Sequence, residues 1–558
     1  MRALTRRPRP ARAHGIVAAS VAALVAVAAV APSTAWAGRT IVFRGRGWGH
    51  GIGMSQYGAL GRALRGDTAR EILTHYYSGT RVRRARLPKR VRIGLLQGRA
   101  RVALRSRRRG SSRGRMVFKV VGARRPIAEG NAGTAWRVEP SVTGGVRLYR
   151  NGRTVKRRGR IVFGGPDRPL RVTFARYGAR ARLPSKGLNY AYGHMLVSTH
   201  DPGACGRPYC LRVVLAVSMH KYVYGLGEVP ASWPAAVLRA QAIAARTYAF
   251  RRILRYGQHR QPCDCALVDS PADQVYSGDS KRTESGPYWD DWKGAVDATR
   301  NRVVVYRGRP IEALYSSSSG GHTENVENVW GGDPVPYLRG VRDAPDAVAS
   351  NPNHRWRQRM SWRRASRRLN AVYGVGRLRR IRVLRPFGVS GRITVVKSTR
   401  RGGVRIVGRR ATVRVSGWSL RAALGLRDTW FRVRIRRTVA AALAPAYART
   451  GGPSGPLGRP ASGRVDLGPW VAQRFAGGSL YLHAPTEATA ALWGPIESRY
   501  RRLGETRSRC GPPTSSIEAG PTGAVATFAR GALTEESGEG VVVDCPKSSP
   551  STGDPIES

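Results

Sequence analysis

A chain of 558 residues has room for several domains, and its 41% hydrophobic content is enough to build packed cores. Its 98 Lys and Arg residues far outnumber its 33 Asp and Glu residues, which gives a formal charge of +65. A surface of this charge attracts polyanions, namely nucleic acid, an anionic membrane or an acidic polymer of the cell wall.

The first 37 residues have the pattern of a secretory signal peptide. Residues 1–14 are basic, residues 15–31 are almost entirely Ala, Val and Ile, and Ala35-Trp36-Ala37 supplies the small residues of a cleavage site. We expect cleavage before Gly38 and a secreted, wall-associated protein; an uncleaved membrane anchor is the alternative. Secretion argues against nucleic acid as the partner and favours anionic polymers of the cell wall.

A glycine-rich stretch, GRGWGHGIGMSQY at 45–57, has glycine at every second position from Gly45 to Gly53. In an extended chain alternate residues lie on opposite sides, so one face would be bare and open to another backbone or a flat ligand. A flexible linker is the alternative. The spacing is not that of a dinucleotide-binding loop.

Two helices are predicted next. Residues 55–65 form the first, which ends at Gly66, and Thr68 with Glu71 provides a capping box for the second.

The rest of the chain up to residue 435 predicts an α+β fold. Short β-rich runs separated by Gly and Arg clusters, from about 90 to 225, indicate strands of an antiparallel domain. Residues 233–255 form an Ala-rich helix, with Ser232 as its cap and Pro234 in its first turn. Residues 360–435 are predicted to be another basic, β-rich segment.

The six cysteines suit an oxidising compartment. Cys263 and Cys265 are too close for an easy bridge to each other, which favours cross-pairing with the preceding group; a zinc site using His259 is the less favoured alternative. The last group is predicted to bridge internally. The groups are Cys205 and Cys210, Cys263 and Cys265, and Cys510 and Cys545.

The C-terminal region contains a repeat with a period of 53 residues, which predicts tandem modules within 440–545. Residues 546–558 are expected to be a flexible tail. The repeated positions are Leu443, Tyr447, Gly458, Pro460, Phe475 and Leu480, which recur as Ile496, Tyr500, Gly511, Pro513, Phe528 and Leu533.

Glu228 is the candidate for acid–base chemistry. It lies in the segment YGLGEVPASWP, on a short connection before the Ala-rich helix. The apolar neighbours Leu226, Val229 and Trp233 would remove water from its carboxyl group, and desolvation raises a carboxyl pKa toward the value a general acid needs. An exposed loop glutamate is the alternative.

Other polar residues are candidates for ligand contacts. Gln241 and Tyr248 share one helix face. Arg246 lies in a run of alanines, where a cation is expected only if it is exposed to solvent or has an anionic partner. The serine loop, defined as residues 316–320, is either a floppy linker or an ordered loop that offers hydroxyls and amides to a polar ligand. No GxSxG surrounds these serines, so a serine hydrolase is not supported.

Several motifs together resemble the SpoIID/LytB family of peptidoglycan enzymes: YVYGLGEVPASWPAAVLRAQAIAARTYAF, DQVYSG, YRGRPIEALYSSSSGGHTENVENVWGG and PYLRGV. The resemblance covers about 90–435 and is densest at 211–345. The segments GWGHGIGMSQYGALGRAL and ILTHYYSGT are similar to the part that usually closes the domain, but here they come first. This implies a permuted arrangement in which residues 38–84 complete the site of the domain at 85–435.

The resemblance implies a lytic transglycosylase that cleaves glycan strands to 1,6-anhydro sugars, with Glu228 as its catalytic group. CDCALVDSPADQVY lacks the Cys/His pattern that binds zinc in some relatives, so no metal or cofactor is expected. The implied substrate-binding residues are Gln241, Arg246, Tyr248, Gln274, Tyr276, Ser316, Ser317, Ser318, Ser319, Gly320, His50, Ser55 and Gln56.

Two other functions remain open. One is a non-catalytic family member that binds the wall and stimulates an N-acetylmuramoyl-L-alanine amidase, which would then be a partner. The other is a basic scaffold that only binds anionic polymer. The C-terminal motifs GPLGRP and RFAGGSLYL are similar to LGFP repeats of actinobacterial wall proteins, which implies wall attachment.

Overall fold

The computed structural model gives a mixed arrangement of many strands and few helices, compatible with the predicted α+β class. The chain divides into two compact units, Thr40–Arg436 and the residues from Arg437 onward. The predicted signal peptide and most of the predicted tail lie outside the described residues. The structure describes residues 39–547 apart from 201–204, 396–400, 438, 521–522, 537 and 539.

The helices begin largely where the sequence predicts. Ser55 Oγ accepts a hydrogen bond from the amide of Gly58, and both bonds of the Thr68–Glu71 capping box are present. The predicted cap of the Ala-rich helix is wrong, because Pro234 occupies the cap position and no side chain bonds there. No described helix is long and apolar enough to cross a membrane. The helices of the described residues are α1 Gln56–Ala63, α2 Ala69–Tyr76, α3 Met219–Tyr224, α4 Ala235–Tyr256, α5 Ser280–Ser285, α6 Trp289–Ala298, α7 Val326–Trp330, α8 Trp362–Tyr373, α9 Gly417–Leu424, α10 Ala444–Arg449 and α11 Gly494–Leu503.

Two seven-stranded sheets account for the β-rich region, and apart from one short parallel pairing their strands pair antiparallel, as predicted. The first has the order Leu267–Val268, Val91–Arg99, Cys210–Val217, His194–His200, Leu170–Thr173, Met116–Val120, Ala128–Gly130. The second has the order Arg153–Thr154, Val146–Arg150, Ala135–Pro140, Val102–Arg108, Ala179–Leu183, Leu188–Tyr190, with Val162–Phe163 also paired to Val146–Arg150.

Smaller sheets complete the first unit. The prediction that residues 360–435 are β-rich is only partly right, because α8 and α9 also lie in this segment. In α8 the buried Ala365 and Leu369 are four residues apart, and the arginines between them hide this helical period. The smaller sheets, with strands given in their order across the sheet, are Arg355–Ser361, Arg39–Arg46, Phe431–Arg437; Arg309–Pro310, Arg302–Tyr306, Arg81–Arg84; Met54–Ser55, Tyr315–Ser316; and Leu378–Val383, Val404–Gly408, Thr412–Val415.

The N-terminal segment belongs to the same core as α4. Ile52, Met54, Ile72 and Tyr76 are fully buried and lie in one hydrophobic cluster with residues of α4 such as Leu238. Detaching the segment from the core would expose all four side chains, at about 1.5–3 kcal/mol each.

The glycine-rich stretch is not an extended strand, so the expected bare face is absent. Every glycine within 47–53 has a positive φ. A Cβ on Gly51 would lie 2.3 Å from the guanidinium carbon of Arg392, and one on Gly53 would lie 2.2 Å from the Leu314 carbonyl oxygen. The glycines therefore serve turns and close approach by another part of the chain.

The C-terminal unit repeats its hydrogen bonds with the period seen in the sequence. The Tyr447 hydroxyl donates to the Gly458 carbonyl at 2.6 Å, and the Tyr500 hydroxyl donates to the Gly511 carbonyl at 2.8 Å. Each copy also carries a four-stranded antiparallel sheet. These are Pro460–Leu467, Trp470–Phe475, Gly478–His483 and Thr489–Trp493, then Glu518–Ala519, Gly523–Phe528, Gly531–Glu536 and Gly540–Asp544.

The disulfides differ in part from the prediction. Cys510 bridges Cys545 as expected, but Cys205–Cys210 and Cys263–Cys265 each bridge within their own group. The second bridge is possible because Asp264 has a φ of 52°, which turns the chain between the two cysteines. Both thiols are consumed, and His259 Nδ1 lies 2.6 Å from the Asp264 carboxylate, which contradicts the zinc alternative.

Candidate functional site

The backbone around Glu228 is held on both sides. Glu228 lies in the loop between α3 and α4, where the Gly227 amide donates to the Val275 carbonyl at 3.0 Å. On the other side, the buried Lys281 ammonium donates to the Val229 carbonyl at 2.7 Å. These bonds fix the position from which the Glu228 side chain projects.

The carboxyl group of Glu228 has a raised pKa. It is half-buried, and Oε1 accepts a hydrogen bond from the Val275 amide at 2.6 Å. Burial raises its pKa to about 7, while hydrogen bonds from Val275, Tyr315 and Gln56 and the charge of Lys281 oppose the rise. The direction is the one expected from its apolar neighbours. A group of this pKa can both give and take a proton near neutrality.

Gln56 reaches Glu228 from 172 residues away in sequence. From α1, its Nε2 donates to the Glu228 carbonyl at 3.2 Å and to Gln241 Oε1 at 3.4 Å. Gln56 and Gln241 therefore adjoin Glu228, and the N-terminal segment takes part in the site.

Tyr315 is a site residue that sequence reasoning missed. Tyr222 donates to Gln274 Oε1 at 2.7 Å, and Gln274 Nε2 donates to the Ala245 carbonyl and, at 2.7 Å, to the Tyr315 hydroxyl. Because the Tyr315 oxygen accepts from Gln274, its own proton is left to donate to the Glu228 carboxylate. In the sequence, the feature that could have indicated Tyr315 is its position directly before the serine loop.

His50 supports the site through Tyr315. Its Nδ1 accepts from the Ile52 amide at 3.0 Å, and its ring bonds to the Tyr315 carbonyl. Burial lowers its pKa to about 3, so the imidazole is neutral. The ring also packs against the partly exposed Trp330, with centroids 5.2 Å apart.

The serine loop does not present its hydroxyls to a ligand as expected. Ser318 Oγ donates to Asp346 at 2.8 Å and Ser319 Oγ donates to Asp343 at 2.6 Å, and both serines are fully buried. The hydroxyl of Ser55 is also engaged within the protein, because it donates to Asp346 at 2.8 Å. Burial and the charge of Asp346 raise the pKa of Asp343 to about 6.

The rest of the loop is also packed. Ser316 is buried and pairs in register with Ser55, while the amide of the buried Gly320 donates to Asp346 at 3.0 Å. Ser317 is half-buried, and its carbonyl accepts from the Tyr57 amide. Two carboxylates that the sequence did not single out thus organise the loop as a scaffold.

Arg392 fastens the glycine-rich stretch to this scaffold. Its guanidinium bonds both oxygens of the Asp428 carboxylate at 2.9 and 3.0 Å, and it donates to the carbonyls of Ser319 and His322 at 2.8 Å each. Arg392 and Asp428 are 1% and 0% exposed. The closeness of the guanidinium to Gly51 leaves no room there for a side chain.

Arg246 was expected to line a groove, and this expectation is wrong. The side chain is fully buried and donates to backbone carbonyls of Val296, Thr299 and Arg302 at 2.8–3.4 Å. These carbonyls lie at and beyond the C-terminal end of α6, where unpaired acceptors need donors. Burial lowers the pKa of Arg246 to about 10.

Three other expected groove residues are internal. Tyr248 is 8% exposed and donates to Asp273 at 3.0 Å. Tyr276 is buried and its ring stacks on that of Tyr222, with centroids 5.3 Å apart. Gln274 is buried, and it reaches the site only through Tyr315. In the described part of the chain no group of three or more His, Cys, Asp or Glu side chains is placed to hold a metal ion.

Residues 210–306 match the family model described as SpoIID, Stage II sporulation protein. The chain therefore contains a SpoIID family domain. Glu228, Gln241 and Gln274 lie within the matched residues, whereas Gln56 and Tyr315 lie outside them. The site thus draws on both sides of the matched segment.

Proteins similar to this chain include an uncharacterized protein of Brachyspira hyodysenteriae, 41% identical over 132 residues, which are 23% of this chain and 33% of that protein. The "Amidase enhancer" of Bacillus subtilis is 37% identical over 119 residues, 21% of this chain and 14% of its own length. "Stage II sporulation protein D" of Bacillus subtilis is 32% identical over 137 residues, 23% of this chain and 40% of its own length. The similarity thus spans less than half of each relative.

Proposed function

We propose that this protein is a secreted lytic transglycosylase that acts on peptidoglycan glycan strands. The observation that carries the proposal is the Glu228 carboxyl, whose pKa burial raises to about 7 and whose backbone is held on both sides. A hydrolase would need a second carboxylate beside it, as nucleophile or as base for water. The groups that act most strongly on Glu228 are amides, a hydroxyl and an ammonium.

A single carboxyl is sufficient when the substrate supplies the nucleophile. Glu228 gives its proton to the glycosidic oxygen between N-acetylmuramic acid and N-acetylglucosamine as the bond to the anomeric carbon breaks. The carboxylate then takes the proton of the C6 hydroxyl while that oxygen bonds the anomeric carbon, which yields the 1,6-anhydro sugar. Tyr315 and Gln56 stabilise the carboxylate between the two steps.

The test is Glu228→Gln, assayed on purified glycan strands by mass spectrometry of the anhydro products. We expect a fall in rate of at least about 10²–10⁴-fold, as for a lost general acid. Glu129→Gln is the matched control, because it makes the same substitution at an exposed glutamate of the strand Ala128–Gly130. Cleavage by Glu228→Gln at the wild-type rate would exclude Glu228 as the acid.

A second candidate is stimulation of a cell-wall amidase without glycan cleavage, favoured by the 37% identity to a protein named amidase enhancer. The same variant separates the two. Stimulation that persists in Glu228→Gln, together with no anhydro product from the wild type, would decide for the second candidate.

We also propose that residues 38–84 complete a permuted domain and that the C-terminal repeats, similar to LGFP repeats, attach the secreted protein to the wall. The contact between Gln56 and Glu228 supports the first part, and the duplicated tyrosine bonds support a tandem module. Secreted protein that retains residues 1–37 would contradict secretion through a cleaved signal. Attachment by the repeats would be contradicted if a variant that lacks residues 437–547 bound the wall as well as the full-length protein.

A further inference from the structure

Two cavities are lined by the segment 86–90, and both include Pro88 and Lys89 in their walls. Their volumes are about 530 and 700 Å³. We call the two together the basic groove. Its Lys and Arg side chains are Arg86, Lys89, Arg90, Arg92, Arg171, Lys221 and Arg300.

The groove is more basic than the protein as a whole. Its walls hold seven Lys and Arg residues against one carboxylate, Asp297, whereas the whole chain has 98 against 33. Asp297 is already engaged, with His220 Nε2 at 2.8 Å and Lys293 Nζ at 2.7 Å. Arg92 is also paired, with the carboxylate of Asp264. The remaining six cations still outnumber the carboxylates of the groove, so positive charge is concentrated there.

Most of these cations have no protein anion as partner. Within the described residues, Arg86, Lys89, Arg90, Arg171 and Arg300 have no carboxylate at salt-bridge distance.

Lys221 is held in place by rings and not by a carboxylate. Its Nζ lies 5.1 Å from the ring centre of Tyr192 and 4.4 Å from that of Tyr224. Cation–π contacts of this kind fix the ammonium group without neutralising it.

The other cavity shows the same excess of charge. His194 lies in its wall, and burial together with Arg171, Arg90 and Arg92 lowers its pKa to about 4. The imidazole is neutral at neutral pH chiefly because burial disfavours its charged form, and the three arginines oppose a further positive charge in addition.

We propose that the basic groove binds a phosphodiester-linked polyanion along both cavities. The cations come from separate elements: the 86–90 connection, α3 with Lys221, and the turn after α6 with Arg300. A tetrahedral phosphate offers oxygens in several directions and accepts hydrogen bonds both from arginine forks and from lysine ammonium groups, which suits cations that come from separate elements. Two cavities that share Pro88 and Lys89 in their walls fit a chain of phosphates better than a single ion. This site goes beyond the proposed glycan cleavage and does not use Glu228.

The test measures binding of a fluorescent glycerol phosphate oligomer to the full-length protein as a function of salt. Arg86→Glu with Arg300→Glu changes two exposed residues of the groove. The control, Arg363→Glu with Arg367→Glu, makes the same change of charge at two exposed residues of α8. We expect the groove variant to lose at least about 10-fold in affinity and to lower the slope of log affinity against log salt by about 2, roughly one for each lost phosphate contact.

The control variant is expected to stay within about 3-fold of the wild type, because charges away from the groove act only through the screened field. Equal losses in both variants, or no loss in the groove variant, would overturn the proposal. Equal affinity for a hyaluronate oligomer of matched length, with the same dependence on the groove residues, would overturn the phosphate assignment. Cleavage of glycan strands by the groove variant is measured in a separate assay. Loss of the polyanion-binding proposal can therefore be distinguished from loss of the proposed transglycosylase activity.

Discussion

Replacing Glu228 with glutamine tests the burial of its carboxyl group without any substrate. Glutamine keeps the shape of the side chain and an oxygen for the Val275 amide, but it carries no proton that titrates. In the wild type the folded state holds this proton up to a pH of about 7, whereas the unfolded chain releases it near the ordinary value of 4.5. The folded state thus binds more protons between these values, so its stability falls as pH rises through them.

The magnitude follows from the difference between the two pKa values. At about 1.36 kcal/mol for each pKa unit, the rise from 4.5 to about 7 amounts to about 3 kcal/mol. We therefore expect Glu228→Gln and the wild type to differ little in their dependence on pH below 4.5. By pH 8 the variant gains up to about 3 kcal/mol relative to the wild type, because only the wild type must bury a charge.

The assay is denaturant unfolding of both full-length proteins at several pH values, followed by tryptophan fluorescence. Most of the 13 tryptophans lie in the Thr40–Arg436 unit, and the signal of Trp470 and Trp493 in the C-terminal unit is common to both proteins. Other raised carboxyls, such as Asp343 with a pKa of about 6, are present in both proteins, so their contribution cancels in the difference. Free energies of unfolding that stay parallel from pH 4 to pH 8 would refute the reasoning, since they would mean that Glu228 is no harder to ionise in the fold than in the unfolded chain.

Two further substitutions follow from the contacts of the site. Tyr315→Phe removes a hydrogen bond that holds down the pKa of Glu228, so this pKa rises above about 7 and the alkaline limb of kcat/KM for glycan cleavage moves to higher pH; an unmoved limb would show that Tyr315 does not act on Glu228. Arg392→Met leaves Asp428 buried without its cation and is expected to cost about 3–5 kcal/mol in denaturant unfolding. Adding Asp428→Leu should recover part of the loss, and a loss from Arg392→Met alone of under about 1 kcal/mol, as for a surface pair, would contradict the buried pair.

Local signals predicted the local parts of the structure. The capping box at Thr68 and Glu71 and the Ala-rich helix each depend on residues near one another in sequence, and each is present. The 53-residue repeat is accompanied by a repeated hydrogen bond, in which a tyrosine hydroxyl donates to a glycine carbonyl 11 residues later. The apolar neighbours of Glu228 similarly indicated a raised pKa, because they lie on the same short loop.

Errors arose where a polar residue finds its partner elsewhere in the fold. Arg246 has no nearby acid in sequence, and the carbonyls that it caps lie about 50 residues away, at and just beyond the C-terminal end of α6. The sequence near Ser318 and Ser319 likewise shows no partner for their hydroxyls, because Asp343 and Asp346 come 24 to 28 residues later. A residue type alone does not show whether a hydrogen-bonding group will face a ligand or another part of the protein.

The sequence separation of 172 between Gln56 and Glu228 links assembly of the site to folding of the whole unit. Closing a loop of this length costs about 2.5 kcal/mol more entropy than closing one of about ten residues, so contacts of this range form late. Once α1 and α2 have docked, Ile52, Met54, Ile72 and Tyr76 are buried with them, and detaching this segment would expose all four. The complete site should accordingly appear and disappear in one cooperative step with the first unit, and not as a separately fraying edge.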